Sequence, residues 1–271
     1  MPSLITTNVD FFLHGRVLLS IIDKPFTVIQ RQGPAHGDFL CLVHRWQLAS
    51  KTSSMKRFWR NNSLSIVFCS LFLLALAGQF YTGFREHNAE RKEEGQAPLD
   101  VRSYFRSGHF MQATFENWES EFLQMALFVV LTISLRQRGS SESKSFEPEE
   151  VDREPSPKRK DAPWSVRQGG WILRLYQNSL SIVLSLLFIL SFMFHLLGSL
   201  RDENEHLAMK RLPAKHFGEY ILSARFWFES FQNWQSEFLS VVAIVILSVY
   251  LRQKGSPQSK PVDAPHSETG E

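Results

Sequence analysis

The chain has 271 residues, a net charge of +3 and a pI near 8.9, a balance that excludes a polybasic nucleic-acid binder and an acidic-tailed protein. Two cysteines, Cys41 and Cys69, make neither a disulfide framework nor a zinc cluster. Phe (23) and Trp (7) are bunched into long apolar runs, which points to lipid rather than to an aqueous core.

Residues 1–54 hold only short apolar pieces such as VLLSII, too short to cross a bilayer. Met55 then opens MKRFWRNNSLSIV, a basic flank followed at once by a long apolar run. The expectation for residues 1–54 is an N-terminal extension, either a cytoplasmic segment or the result of a reading frame extended upstream of a start at Met55.

From Asn61 to Phe84, and again from Leu175 to Leu200, there is no Asp, Glu, Lys or Arg. Each run supplies the roughly 20 residues that a 30 Å hydrocarbon layer requires. The runs FLQMALFVVLTISL and FLSVVAIVILSVYL are shorter, and reach spanning length only when extended back to about Phe115 and Phe231, which places Glu121 and Glu237 inside the span or at its rim. Four such segments following one another exclude a secretory signal. The segment Asn62 to Lys144 aligns without a gap on Asn178 to Lys260, with about 30 of roughly 83 positions identical. The expected fold is therefore all-α and integral to the membrane: two tandem, parallel two-helix repeats, 55–138 with spans at about 61–84 and 115–135, and 171–254 with spans at about 177–200 and 231–251. Lys56, Arg57, Arg60, Arg136, Arg138, Arg174, Arg252 and Lys254 flank one side, so both termini and the middle linker are expected in the cytoplasm, against a modest opposing set of Arg85, Arg91, Arg102 and Lys210. Repeats running in the same direction are related by an axis along the membrane normal, a pseudo-twofold four-helix bundle.

Residues 139–170, rich in Ser, Pro, Glu and Lys, are expected to be a disordered linker, and residues 255–271 a disordered tail, because neither can bury enough apolar surface to fold. The outer loops carry LDVRSYFRSGHF and HFGEYILSARFWF, whose aromatics predict short helices in the headgroup zone.

FENWESEFL at 115–123 returns as FQNWQSEFL at 231–239. Asn117, Ser120, Glu121 and Gln124 share one helix face, as do Asn233, Ser236, Glu237 and Ser240. The first spans offer a seam at alternating three and four spacing: Asn62, Ser65, Cys69, Phe72, Leu76, Gln79 and Gly83, and in the second copy Asn178, Ser181, Ser185, Phe188, Phe192, His195 and Ser199. With Ser63 and Leu135 at the cytoplasmic boundary, Gln79 lies about 24 Å and Glu121 about 21 Å above it, so Gln79 is expected to meet Glu121 and His195 to meet Glu237, around the pseudo-twofold axis. The candidate intramembrane cluster is Gln79, Asn117, Glu121, His195, Asn233 and Glu237. Two other readings stand beside it. Asn117 and Asn233 followed by an acid are also ordinary helix N-terminal chemistry, with Trp118, Trp234, Arg136 and Arg252 as interfacial anchors. Alternatively, the two glutamates form a proton or cation site.

There is no GxSxG, Walker loop, dinucleotide-binding turn, HExxH or TVGYG filter. The expectation is of a protein without enzymatic activity, cofactor, metal site or nucleic-acid partner, with the lipid bilayer as its surroundings and a homodimer as one possible assembly. NSLSIV, FENWESEFLQM, RFWFESFQNWQSEFL and the LRQ-[RK]-GS-x-x-SK endings resemble a bacterial domain-of-unknown-function family of duplicated, two-span integral membrane proteins, over roughly residues 55–271. The resemblance implies a bacterial inner-membrane setting and no assigned activity. The role expected is a structural or accessory envelope component, the alternative a small transporter or channel using Glu121 and Glu237.

Overall fold

The computed structural model describes the backbone of residues 36–270 and the side chains of residues 55–270. Among the described residues the chain is all helical, without a strand. It divides into two compact units, Met1–Ser70 and Leu71–Glu271. The described part of the first unit belongs to helix α1 (His36–Glu93). This helix begins well ahead of the expected residue 61, and the reason is in the chain: no proline lies between Pro34 and Pro98 to interrupt it. Residues 1–35 of the proposed extension lie outside the described residues. Leu64, Val67 and Phe68 are exposed, as befits a helix solvated by lipid.

The second unit holds the rest of α1, then α2 (Val101–Phe105), α3 (Gly108–Leu131), a 3-10 turn at Glu150–Asp152, α4 (Trp164–Gln168), α5 (Gly170–Gln177), α6 (Ser179–Met209), α7 (Phe217–Tyr220) and α8 (Ala224–Tyr250). Three segments are long and apolar enough to cross a membrane: Met55–Glu93, Ser179–Met209 and Ala224–Tyr250. Helix α3 has comparable length but carries Glu116, Glu119 and Glu121.

Both α3 and α8 start about seven residues earlier than expected, because serine caps set their origins. Ser107 Oγ accepts the Phe110 amide at 3.2 Å and Ser223 Oγ accepts the Phe226 amide at 3.4 Å. Asn117 and Asn233 are therefore interior residues, and their amides donate back to the carbonyls of Ala113 (2.7 Å) and Glu229 (3.1 Å). This corrects the helix-start reading of Glu121 and Glu237, which lie about three and a half turns inside their helices. Helix α3 also ends at Leu131, short of the expected 135.

Helix α3 runs antiparallel against α6 at close quarters. A Cβ added at Gly198 would come 2.6 Å from the Gln112 nitrogen, and one at Gly108 would collide with the Asp202 backbone. Small residues at such crossings let two backbones approach in lipid. Beside this contact Leu196, Tyr220 and Phe226 form a buried nucleus flanked by Phe192 and Trp227, while Phe80, Tyr104 and Phe110 pack together in the first half. Burial pushes the hydroxyls of both Tyr104 and Tyr220 up to about 12.

Two further devices occur at positions 116 residues apart. The Asn88 side chain brackets the Leu99 backbone at 3.1 and 2.6 Å, and Asn204 brackets Lys215 at 3.1 and 2.7 Å. Helix α1 ends with Gly95 N bonded to Lys92 O and Gln96 N to Arg91 O; α6 ends with Arg211 N bonded to Ala208 O and Leu212 N to Leu207 O. Both are Schellman closures with the turning residue at positive φ.

The linker and tail depart from the expected disorder. Ser140 and Ser248 hydroxyls meet at 2.8 Å, the Gly139 amide donates to Thr269 Oγ1 at 2.8 Å, and Ser141 Oγ donates to the Gln258 carbonyl at 3.0 Å. Lys260 is buried, its ammonium donating to the carbonyls of Pro265, His266 and Glu268. Composition registers apolar burial alone; here serine hydroxyls and one lysine satisfy the backbone of turns that have little apolar surface to hide.

Candidate functional site

The polar centre of the second unit lies where α3, α6, α7 and α8 come together. His195 on α6 is fully buried and sends Nδ1 to Glu119 Oε2 on α3 at 2.6 Å. Glu119 is equally buried, and its other oxygen accepts the Trp234 indole N–H from α8 at 2.8 Å. On the far side of the ring, Nε2 faces two more carboxylates, Glu229 Oε2 at 3.4 Å and Glu116 Oε2 at 3.9 Å.

Glu229 is the hub of the polar network. It accepts from Ser199 Oγ at 2.5 Å and from Arg225 Nε at 2.9 Å, and the Ser199 hydroxyl also meets Tyr220 Oη at 2.5 Å. The Arg225 guanidinium reaches Asp202 Oδ2 at 2.9 Å and pairs with Glu203, to which Lys215 also donates at 2.7 Å. The spacing explains the convergence: His195, Ser199 and Asp202 recur at four and three residues along one face of α6, and Arg225 and Glu229 stand one turn apart on α8. A charge buried in such a place is held only where opposite charge and hydrogen bonds answer it.

The six residues of the expected cluster are distributed differently from the expectation. His195 pairs with Glu119, Glu116 and Glu229 and not with Glu237. Gln79 donates to Thr114 Oγ1 at 3.5 Å where Glu121 was expected. Thr114 stands about two turns before Glu121 on α3 and Glu229 about two turns before Glu237 on α8, while Glu119, which takes the shortest contact with His195, lies on α3 and not on α8. Glu121 on α3 and Glu237 on α8 are neighbours instead. Just past them these helices frame a groove of about 430 Å³, lined by apolar residues including Leu127, Phe128, Phe238 and Val241. Of the four expected anchors, Trp234 is turned inward onto Glu119, whereas Trp118 packs on Phe72 and Phe115. Arg252 folds back onto the last carbonyls of α8, among them Val249 at 3.1 Å, and Arg136 onto carbonyls just past the end of α3, among them Ile133 at 3.1 Å, a favourable use of cations at helix C-termini.

Glu116, Glu119, Arg225 and Glu229 are missed when only recurring glutamates are weighed. These do not recur: the positions 116 residues away hold Gln232, Gln235, His109 and Ala113. The available signal is that difference, an acid or base in one copy against another residue type in the other, on faces adjoining the intramembrane His195.

A family model described as a domain of unknown function, DUF6766, matches residues 55–271. No curated protein and no solved structure matches the chain. With four-fifths of its length inside that one match, the chain belongs to the DUF6766 family.

Proposed function

We propose that the chain is a non-enzymatic, four-span protein of a bacterial inner membrane, made of two tandem repeats with both termini in the cytoplasm, and that it serves as a structural or accessory component of the envelope. Helix α3 is the fourth span: its acids turn toward α6 and α8, which removes the objection that its charges raise. The matched Asn brackets, serine caps and Schellman closures at 116-residue intervals support the repeat. The observation that carries the functional reading is the burial of His195 and Glu119 to full exclusion from solvent. A buried clasp joining three helices near their outer ends stiffens a scaffold, and it offers no hydrated path through the bundle.

The mutual contact of Glu121 and Glu237 favours a second reading, in which the two carboxyls share a proton or hold a cation for transport. Proton and cation flux in proteoliposomes separates the two. No flux in the wild type or in the folded Glu121→Gln, Glu237→Gln double variant is the expected result. Flux present in the wild type and lost in the double variant would sink the scaffold reading in favour of transport.

A further inference from the structure

Going beyond the scaffold role, we propose that the clasp is a binding site for a divalent transition-metal ion, ligated by His195 Nε2, Glu116 and Glu229, with Glu119 as the group that orients the imidazole. One ligand atom from each of the three residues lies within 4.8 Å of the others. A tetrahedral ion with bonds near 2.0–2.1 Å holds its ligand atoms about 3.3 Å apart. The Nε2 to Glu229 separation of 3.4 Å already matches this, and Glu116, at 3.9 Å, needs only a small side-chain movement.

The surroundings of the ring are those of a metal-binding histidine. Its Nδ1–H is given to a carboxylate, Glu119, which fixes the tautomer and leaves Nε2 to present a lone pair. Glu119 is itself tied by Trp234, so the orientation is held from two helices. Charge points the same way. With His195 neutral, as ligation through Nε2 requires, Glu116, Glu119, Asp202, Glu203 and Glu229 face Arg225 and Lys215, a surplus of three negative charges that one divalent ion cuts to one. His206, 3.6 Å from Asp202, trims that surplus only when charged. Independently of the clasp's own hydrogen bonds, Asp202 Oδ1, one turn beyond Ser199 on the same face of α6, is buried without a partner among the described residues. The Glu116 and Glu229 side chains retain 23% and 14% exposure, enough to admit an ion. One imidazole with two carboxylates suits zinc or manganese better than magnesium or calcium, which favour all-oxygen shells.

The test uses the full chain in nanodiscs, stripped with a chelator and titrated with zinc or manganese by equilibrium dialysis and elemental analysis, with cobalt(II) absorption as an independent report of nitrogen–oxygen ligation. One ion per chain is expected for at least one of the two metals. Affinity should fall by at least about a hundredfold in Glu116→Gln and about ten- to a hundredfold in Glu119→Gln, and stay unchanged in the Glu121→Gln, Glu237→Gln double variant. Should Glu119→Gln fail to fold, the partly exposed Glu116→Gln still decides. Absence of a stoichiometric ion in the wild type, or wild-type affinity in Glu116→Gln, overturns the proposal. Neither result bears on flux, so the metal site and the scaffold role fail separately.

Discussion

The two halves of the chain share a frame and differ in what they enclose. Tyr104 and Tyr220, Phe110 and Phe226, Asn88 and Asn204, and the caps Ser107 and Ser223 do the same work at aligned positions. Around them the first half sets Gln79, Gly83, His109 and Ala113 where the second sets His195, Ser199, Arg225 and Glu229. The frame needs caps, brackets and aromatic contacts, and these recur. The charged clasp needs its members all at once, since a half-built set leaves a buried charge unanswered; His195, Ser199, Arg225 and Glu229 come from the second half, and Glu116 and Glu119 on α3 of the first half close it.

The strongest way to break this difference is to place the first half's residue in the second. His195→Gln removes the imidazole from between Glu119, Glu116 and Glu229, and a buried carboxylate stripped of its partner costs about 3–5 kcal/mol. The reciprocal Gln79→His places an imidazole beside Thr114 and should shift stability by no more than about 1 kcal/mol. Unfolding free energies in mixed detergent micelles check both. Equal losses in the two variants would mean that the clasp is no more than another packed polar contact.

The three long apolar helices α1, α6 and α8 were legible because hydropathy is a bulk property of some twenty residues. Helix origins were less so: Ser107 and Ser223 lie in aromatic loop sequence that reads as interfacial, and their hydroxyls act through one hydrogen bond each. The site was legible in its histidine and not in that residue's partners. Spacing orders residues along one helix and does not say how one helix packs on another, which is why His195 was assigned to Glu237 on α8 although its shortest contact is with Glu119 on α3. The linker was misjudged for another reason, since hydroxyl-to-backbone bonds such as Ser141 to Gln258 join segments far apart in the chain and leave no local pattern.

A smaller effect tests the helix contact that positions the clasp. Gly198 aligns with Thr82, an exposed residue whose hydroxyl bonds the Gly78 carbonyl at 2.8 Å. Gly198→Thr puts a branched side chain where the Gln112 backbone already stands, and the forced separation of α3 from α6 should cost about 1–3 kcal/mol. Gly78→Ala, with no atom within 4 Å of the added Cβ, is the control and should be neutral or slightly stabilising. Thermal unfolding of the pair in one detergent reads the contrast, and a tolerated Gly198→Thr would show that the crossing is looser than its geometry.

The smallest change sharpens the comparison in the opposite direction. The two Schellman closures put their turning residue at φ 73° for Gly95 and at φ 58° for Arg211. A glycine adopts this conformation freely, whereas the Cβ of any other residue crowds the following carbonyl, at a cost of about 1–2 kcal/mol. Arg211→Gly keeps both backbone hydrogen bonds of the closure and removes that crowding, but it also loosens the unfolded chain, which returns part of the gain. The balance should stabilise the protein by about 0.5–1 kcal/mol, and Gly95→Arg should destabilise it by a similar amount. Chemical denaturation in one detergent measures both. If Arg211→Gly instead weakens the protein, the Arg211 side chain makes a favourable contact that outweighs its backbone strain, and the end of α6 differs from the end of α1 in more than the residue at the turn.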